Sequence, residues 1–316
     1  MKRKKIWMDI AVILLAFLLF VLWHQNTFGD AARAAFSNIR YYKVYLITSG
    51  KGYQFWGIMN QGAADMAASV GIEYIWEAPE FRSPERQIEL IRSAVDSGAD
   101  AILVAADDPK KISAAIEDAK ARGVKIIYVD TPAYEEAITT LATDNYEAGV
   151  LAGQTMLSIL NNAGINSGSI GILNLTDKEN TAIREIGFRD TLAQDPRFQL
   201  LQTVYTETDE PEITQPAAEQ IIDTNENLVA LFGTSEGTSL GVGRAILAND
   251  NRYIGVGFDK TSDMEELLRA GSLKAIIDQN PYTMGYLGMA EAIAAIFGKS
   301  TGPEFINTGV AVVLGQ

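Results

Sequence analysis

The sequence predicts an α/β protein with parallel sheets, arranged as two Rossmann-like lobes behind an apolar N-terminal segment. Three observations carry this reading. Short runs rich in Val and Ile alternate with helix-like stretches from Tyr42 to the C-terminus. Several of those runs are apolar without interruption, as strands buried on both faces are. The series is also too long for one comfortable doubly wound sheet, which favours two lobes, with a closed barrel as the competing α/β architecture.

The N-terminus comes first. Lys2, Arg3, Lys4 and Lys5 precede an apolar run over 10–23, and the basic cluster places the rest of the chain outside the cytoplasm. Counted from Ile6 to Trp23, a helix here is about 27 Å long, close to the roughly 30 Å hydrocarbon core. Trp7 and Trp23 suit the two interfaces. A small-residue pattern at Ala32-Arg33-Ala34 lies far from the run for signal cleavage, so the reading leans to a retained single-pass membrane anchor. Cleavage would give a secreted or periplasmic protein instead. Either way the chain from about Ala35 onward is extracytoplasmic.

Strands are predicted over 44–48, 73–76, 101–105, 125–129, 169–173, 200–205, 228–232, 254–258 and 274–277. Helices are predicted over 55–70, 112–122, 148–161, 182–192, 217–223, 240–248, 264–269 and 284–297. A further helix opens at Ser83-Pro84-Glu85, a capping Ser before a first-turn Pro, and shows one apolar face through Ile88, Ile91, Ala94 and Val95.

Composition excludes several functions. Lys and Arg number 26 against 40 Asp and Glu. Setting aside Lys2, Arg3, Lys4, Lys5 and Asp9 leaves 22 cations against 39 anions, a net of −17 over the outer part. Such a surface repels phosphate backbones, so no nucleic-acid partner is expected. The chain has no Cys and a single His, His24. Disulfides, thiolate metal sites, Cys nucleophiles and a lipid-modified Cys are excluded, and His-based catalysis or metal ligation nearly so. No cofactor and no metal site is predicted.

Four motifs face the ligand question. Gly233-Thr234-Ser235-Glu236-Gly237 matches a nucleophile elbow, but Ser235 then needs a His base that is missing beyond His24; a tight strand–helix turn facing a cleft is the better reading. Gly241-Val242-Gly243 and Gly255-Val256-Gly257 are fragments of a dinucleotide fingerprint that fall inside a helix and a strand, so nucleotide binding is weakly signalled. The strands at 126–130 and 254–259 both end in an aspartate, Asp130 and Asp259. Strand C-termini line the crevice of open α/β sheets, and a carboxylate there accepts from two neighbouring hydroxyls. Helix capping is the alternative role. Phe55 and Trp56 open the first helix beside the first strand; one is expected to stack on a sugar ring and the other to pack beneath the helix.

At these residues the sequence resembles the periplasmic sugar-binding proteins of the ribose-binding type, which share a fold with the core of lactose-repressor family regulators. The resemblance spans roughly Tyr42 to Gln316 and rests on the order of Phe55-Trp56, Val129-Asp130, Thr143-Asp144-Asn145, the helix bearing Arg184, the segment 232–236, Gly255-Val-Gly-Phe-Asp259 and Ile277-Asp-Gln-Asn-Pro281. It implies two lobes joined by a three-crossing hinge near Thr143, Gln279 and Thr308. The implied organisation is a membrane or signal segment at 1–23, a linker at 24–40, a first lobe at 41–143 and 280–308, and a second at 144–279 and 309–316.

Carried over residue by residue, the resemblance implies stacking by Phe55 and Trp56, hydroxyl binding by Asp130 and Asp259, and donation from Arg184. It implies polar contacts from Thr143, Ser235 and Gln279, and apolar walls from Leu175 and Phe258. The family often has Asn near Tyr53, a second Arg where Thr131 stands, Asn where Ser235 stands and an aromatic near Asp209, so ribose itself is not assumed. The implied function is non-catalytic: closure around a monosaccharide, for an ABC transporter permease. A membrane-tethered sensor subunit signalling to a histidine kinase is the alternative, and a serine hydrolase using Ser235 the least favoured one. The regulator branch is disfavoured, because a membrane segment stands where a DNA-binding headpiece would be.

Overall fold

The computed structural model describes residues 42–80 and 82–315. The predicted membrane segment and linker lie outside them. Among the described residues, no helix is long and apolar enough to cross a membrane.

The first sheet contains β1 (Lys43–Ile47), β2 (Glu73–Glu77), β3 (Ala101–Val104), β4 (Lys125–Val129), β5 (Thr139–Ala142) and β12 (Phe305–Asn307), in the order β12-β5-β4-β3-β1-β2, all parallel. Helices α2 (Pro84–Asp96) and α3 (Pro109–Ala121) cover one face and α1 (Gln54–Val70) with α9 (Pro281–Ile296) the other. In β1, Tyr45 and Ile47 enter one core and Val44 and Leu46 the other. That is why the strand reads as an unbroken apolar run rather than an alternating one.

The second sheet contains β6 (Gly168–Leu175), β7 (Phe198–Leu200), β8 (Val204–Thr206), β9 (Leu228–Gly233), β10 (Ile254–Phe258), β11 (Ala275–Asp278) and β13 (Ala311–Leu314). Its order is β13-β11-β10-β9-β6-β7, with β8 also on β6; only β13 is antiparallel. Helices α4 (Asn145–Asn162) and α5 (Glu179–Leu192) cover one face. Helices α6 (Pro211–Thr224), α7 (Glu236–Ala248) and α8 (Ser262–Arg269) cover the other. On the α4–α5 face Phe188 and Phe232 stack with ring centroids 4.2 Å apart, each fully buried. Burial of a side chain of this size contributes about 1.5–3 kcal/mol.

The chain passes between the sheets three times: after β5, after β11 and after β12. A closed barrel is therefore not the architecture. Helix α9 follows a strand of the second sheet yet packs on the first, and α4 does the reverse. The α4–α5 pair is drawn tight at glycine: a Cβ on Gly149 would lie 2.0 Å from the Arg184 carbonyl oxygen. This contact fixes the turn of α5 that carries Arg184 over the interlobe cleft.

The structure departs from the sequence reading at several elements. The single strand expected over 200–205 is two short strands, each paired with a different part of β6. Helix α6 begins at Pro211 and runs through Pro216, where a helix start was expected only after it. Most other helices begin a few residues earlier than the apolar period suggests, because their polar first turns carry caps such as Asp108 and Asp144. Strands β5, β12 and β13, each of three or four residues, were not among the predicted strands.

Candidate functional site

A cavity of about 760 Å³ lies between the lobes. Strand ends and helix starts build it, as the topology of open α/β sheets dictates. Asp130 follows β4 and Asp259 follows β10, so they hold equivalent places in the two lobes. Both adopt left-handed backbone, with φ of 63° and 70°. Each backbone N–H is held by the neighbouring strand, Asp130 by the Leu141 carbonyl at 2.8 Å and Asp259 by that of Ile277 at 2.9 Å. A positive φ is costly for a residue other than glycine, and strain of this kind gathers at ligand sites. Neither aspartate caps the following helix, the role its sequence left open; Thr261 caps α8 instead.

Arg184 sits at the centre, 3% exposed. Its Nε donates to Asn145 Oδ1 at 2.8 Å, Nη1 to the Thr234 carbonyl at 2.9 Å, and Nη2 to Gln279 Oε1. Gln279 Nε2 in turn donates to Asp259 Oδ1 at 2.6 Å. The guanidinium lies 4.5 Å above the Phe258 ring. Three donors are thus spent inside the protein, leaving part of a five-donor fork for a ligand.

Across the cavity, Thr131 Oγ1 donates to Asp130 Oδ2 at 2.6 Å and accepts from Asn180 Nδ2 at 2.9 Å. Burial raises the Asp130 pKa, opposed by the Thr131 hydrogen bond and by Arg184. Burial likewise pushes Asp259 up to about 6, with Arg184 and the Gln279 amide opposing it. Arg184 is lowered by burial and held up by Asp259, Asp130 and Asp209.

Phe55, Trp56, Asp130, Leu175, Arg184, Ser235, Asp259 and Gln279 all line the cavity. Thr143 and Phe258 are not among its lining residues. Thr143 is buried at the first interlobe crossing, its Oγ1 without a partner. Phe258 is fully buried: it is the platform under Arg184, packed edgewise on Phe232 at 5.9 Å, rather than an apolar wall. Phe55 and Trp56 do not divide the two roles expected of them. They pack edge to face with centroids 4.8 Å apart, both in the first-lobe core and both reaching the cavity.

The Gly233–Gly237 turn proves to be a cap. Ser235 Oγ accepts from the Thr238 N–H at 3.4 Å, and Thr238 Oγ1 accepts from the Ser235 N–H at 2.9 Å, which closes a capping box on α7. The Ser235 hydroxyl donates to Asp209 Oδ1 at 2.7 Å, so its partner is a carboxylate and not an imidazole. His24 lies outside the described residues.

Sequence reasoning missed the groups that span the cleft. Lys178 Nζ reaches Asp107 Oδ1 at 2.9 Å, and Arg82 lies 3.3 Å from Asp107 and 3.6 Å from Asp209. Gln54 and Ser262 exchange hydrogen bonds of 2.8–3.0 Å. Asp107 lies three residues past the end of β3, closing an apolar run much as Asp130 closes that of β4, so the strand-end rule could have found it. Ser49 follows β1, faces the same cavity and has a buried hydroxyl without a protein partner. Among the described residues, no group of His, Asp or Glu is placed to hold a metal ion.

Residues 44–300 match the family model described as a periplasmic binding protein domain. A ribose import binding protein of Haemophilus influenzae is 22% identical over 246 residues, 78% of this chain and 82% of that one. A D-apiose import binding protein of Actinobacillus succinogenes is 23% identical over 265 residues, 83% of this chain and 84% of that one. Among solved structures, an ABC transporter solute-binding protein from Burkholderia graminis in complex with D-arabinose superposes with a TM-score of 0.81 at 25% identity, covering 87% of this chain and 96% of that one.

Proposed function

Since this chain belongs to the periplasmic binding protein domain family, we propose that it captures a neutral monosaccharide outside the cytoplasm and delivers it to an ABC transporter permease. One observation carries the reading. Two strand-end carboxylates, Asp130 and Asp259, face a cavity held between two lobes, with a buried arginine fixed between them. Paired acceptors around one donor fork suit the vicinal hydroxyls of a sugar ring. Phe55 and Trp56 supply an aromatic edge for its C–H face. The named relatives are import binding proteins for ribose and D-apiose, which points to the same class of ligand and to no catalysis.

In this reading Asp130, Asp259, Arg184, Gln279 and Ser235 hold hydroxyls, and Leu175 closes the apolar side. The first lobe comprises 41–143 and 280–308 and the second 144–279 and 309–316, closing about the crossings at Thr143, Gln279 and Thr308. Thr143 acts at the crossing and Phe258 through Arg184. Pairing with a sensor histidine kinase rests on the N-terminal apolar run alone, which lies outside the described residues, and uptake is the reading preferred here. The test is a thermal-shift and calorimetric screen of the full chain, in mild detergent, against pentoses, hexoses, amino acids and nucleosides. A single sugar or close group of sugars should raise the melting temperature. A response to an amino acid with none to any sugar would refute the assignment.

A further inference from the structure

The second-lobe wall of the cavity is built from acceptors. Asp209, 4% exposed, accepts the hydrogen bond of the Ser235 hydroxyl on Oδ1, and its Oδ2 lies 3.6 Å from the Arg82 guanidinium. With its hydrogen committed to Asp209, Ser235 Oγ can offer a ligand only lone pairs. Glu236, next in the chain, is 7% exposed and lines the same wall, its two oxygens accepting the Gln54 and Phe55 N–H groups. The arrangement is built into the backbone: a Cβ on Gly237 would lie 2.0 Å from the Asp209 carbonyl oxygen, so only glycine lets the 207–210 segment press against the first turn of α7. Of the three cations among the described residues that line the cavity, two are already engaged by carboxylates, and Arg184 keeps the donors left free. Arg82 is shared between Asp107 and Asp209, and Lys178 is held by Asp107. Ser49, whose buried hydroxyl has no protein partner, faces the cavity from the other lobe and can donate to or accept from a ligand.

We propose that Asp209 is the residue that sets ligand class at this wall, by presenting its own carboxylate and by fixing Ser235 as an acceptor. The ligand then carries hydrogen-bond donors there, hydroxyl or ammonium, and neither an apolar face nor an anionic group. Neutral sugars and amino sugars fit; uronates and sugar phosphates do not. This rests on the sugar reading above and narrows it.

Matched probes test it on the full chain by calorimetry: D-glucose, D-glucosamine and D-glucuronate, and the corresponding galactose series. In the parent protein the uronate of each series should bind at least about 100-fold more weakly than its neutral sugar, because a like charge beside a buried carboxylate costs several kcal/mol. In Asp209→Asn, which keeps the shape, the ratio of uronate to neutral-sugar dissociation constants should fall by about tenfold or more. Ser235→Ala, which leaves the Asp209 charge in place, should retain most of that discrimination. A uronate that binds the parent as tightly as its neutral sugar overturns the inference alone, as does an unchanged ratio in Asp209→Asn. An amino acid that binds while every member of both series fails overturns the sugar reading itself, and this inference with it.

Discussion

Glu236 caps a helix of the opposite lobe: its carboxylate accepts the backbone N–H of Phe55 at 3.2 Å and that of Gln54 at 3.3 Å. These are the first N–H groups of α1, whose own N-cap, Tyr53, makes no side-chain cap. An orphan helix start on one lobe is thereby completed only when the other lobe closes on it.

This contact makes closure proton-linked. Burial, then the charge of Asp259, pushes Glu236 up to about 8, against the pull of the two N–H groups. In an open cleft the group returns to solvent and to an ordinary carboxylate value near 4.5. The closed form therefore binds the proton more tightly, and closing is favoured at low pH and weakened as pH rises toward about 8. Ligand affinity measured by calorimetry should decline from about pH 4.5 and level off above about pH 8. Glu236→Gln should flatten the decline above about pH 6, leaving the part below it that belongs to Asp259.

Asp259→Ala removes the acceptor that holds the Gln279 amide and the nearest counter-charge of Arg184. Charge-assisted hydrogen bonds contribute about 1.5–3 kcal/mol each, so sugar affinity should fall at least about 100-fold. The melting temperature without ligand should change far less than the affinity. Normal binding in a folded Asp259→Ala variant would place the site elsewhere.

Phe258→Leu tests a residue that acts through another. The ring under Arg184 contributes about 0.5–2 kcal/mol of cation–π attraction. Affinity should drop several-fold to tenfold although the side chain has no surface in the cavity.

The ions at the mouth should govern release rather than recognition. Lys178→Ala and Arg82→Ala each take a partly exposed cation away from a buried carboxylate across the cleft, Asp107 or Asp209. Stopped-flow traces should show ligand dissociation faster by a few fold, and the parent should approach the same rate at high salt.

The parts of this molecule legible in the sequence were those set by local chemistry. Val44–Leu46 read as a doubly buried strand because both faces of β1 are covered. Asp130 and Asp259 were conspicuous because a carboxylate ending an apolar strand has few other uses. What stayed hidden depends on two lobes meeting. Glu236 looks like a surface carboxylate until α1 and α7 come together, Asp209 until its own segment presses on the start of α7, and nothing local marks Asn180 as a partner for Thr131. The resemblance implied Phe258 as a wall, and it could not show that Arg184 lies upon that ring. Strands β12 and β13 are only three and four residues long, too short for a periodicity to betray them.

The central claim is that a sugar ring is held between Asp130 and Asp259 around Arg184. A crystal structure of the full chain with the tightest-binding sugar of the screen tests it most directly. The expected result is a ring in the interlobe cavity, with hydroxyls about 2.6–3.2 Å from both carboxylates and from the guanidinium. A sugar seated outside the cleft, or inside it without contact to either aspartate, would contradict the account.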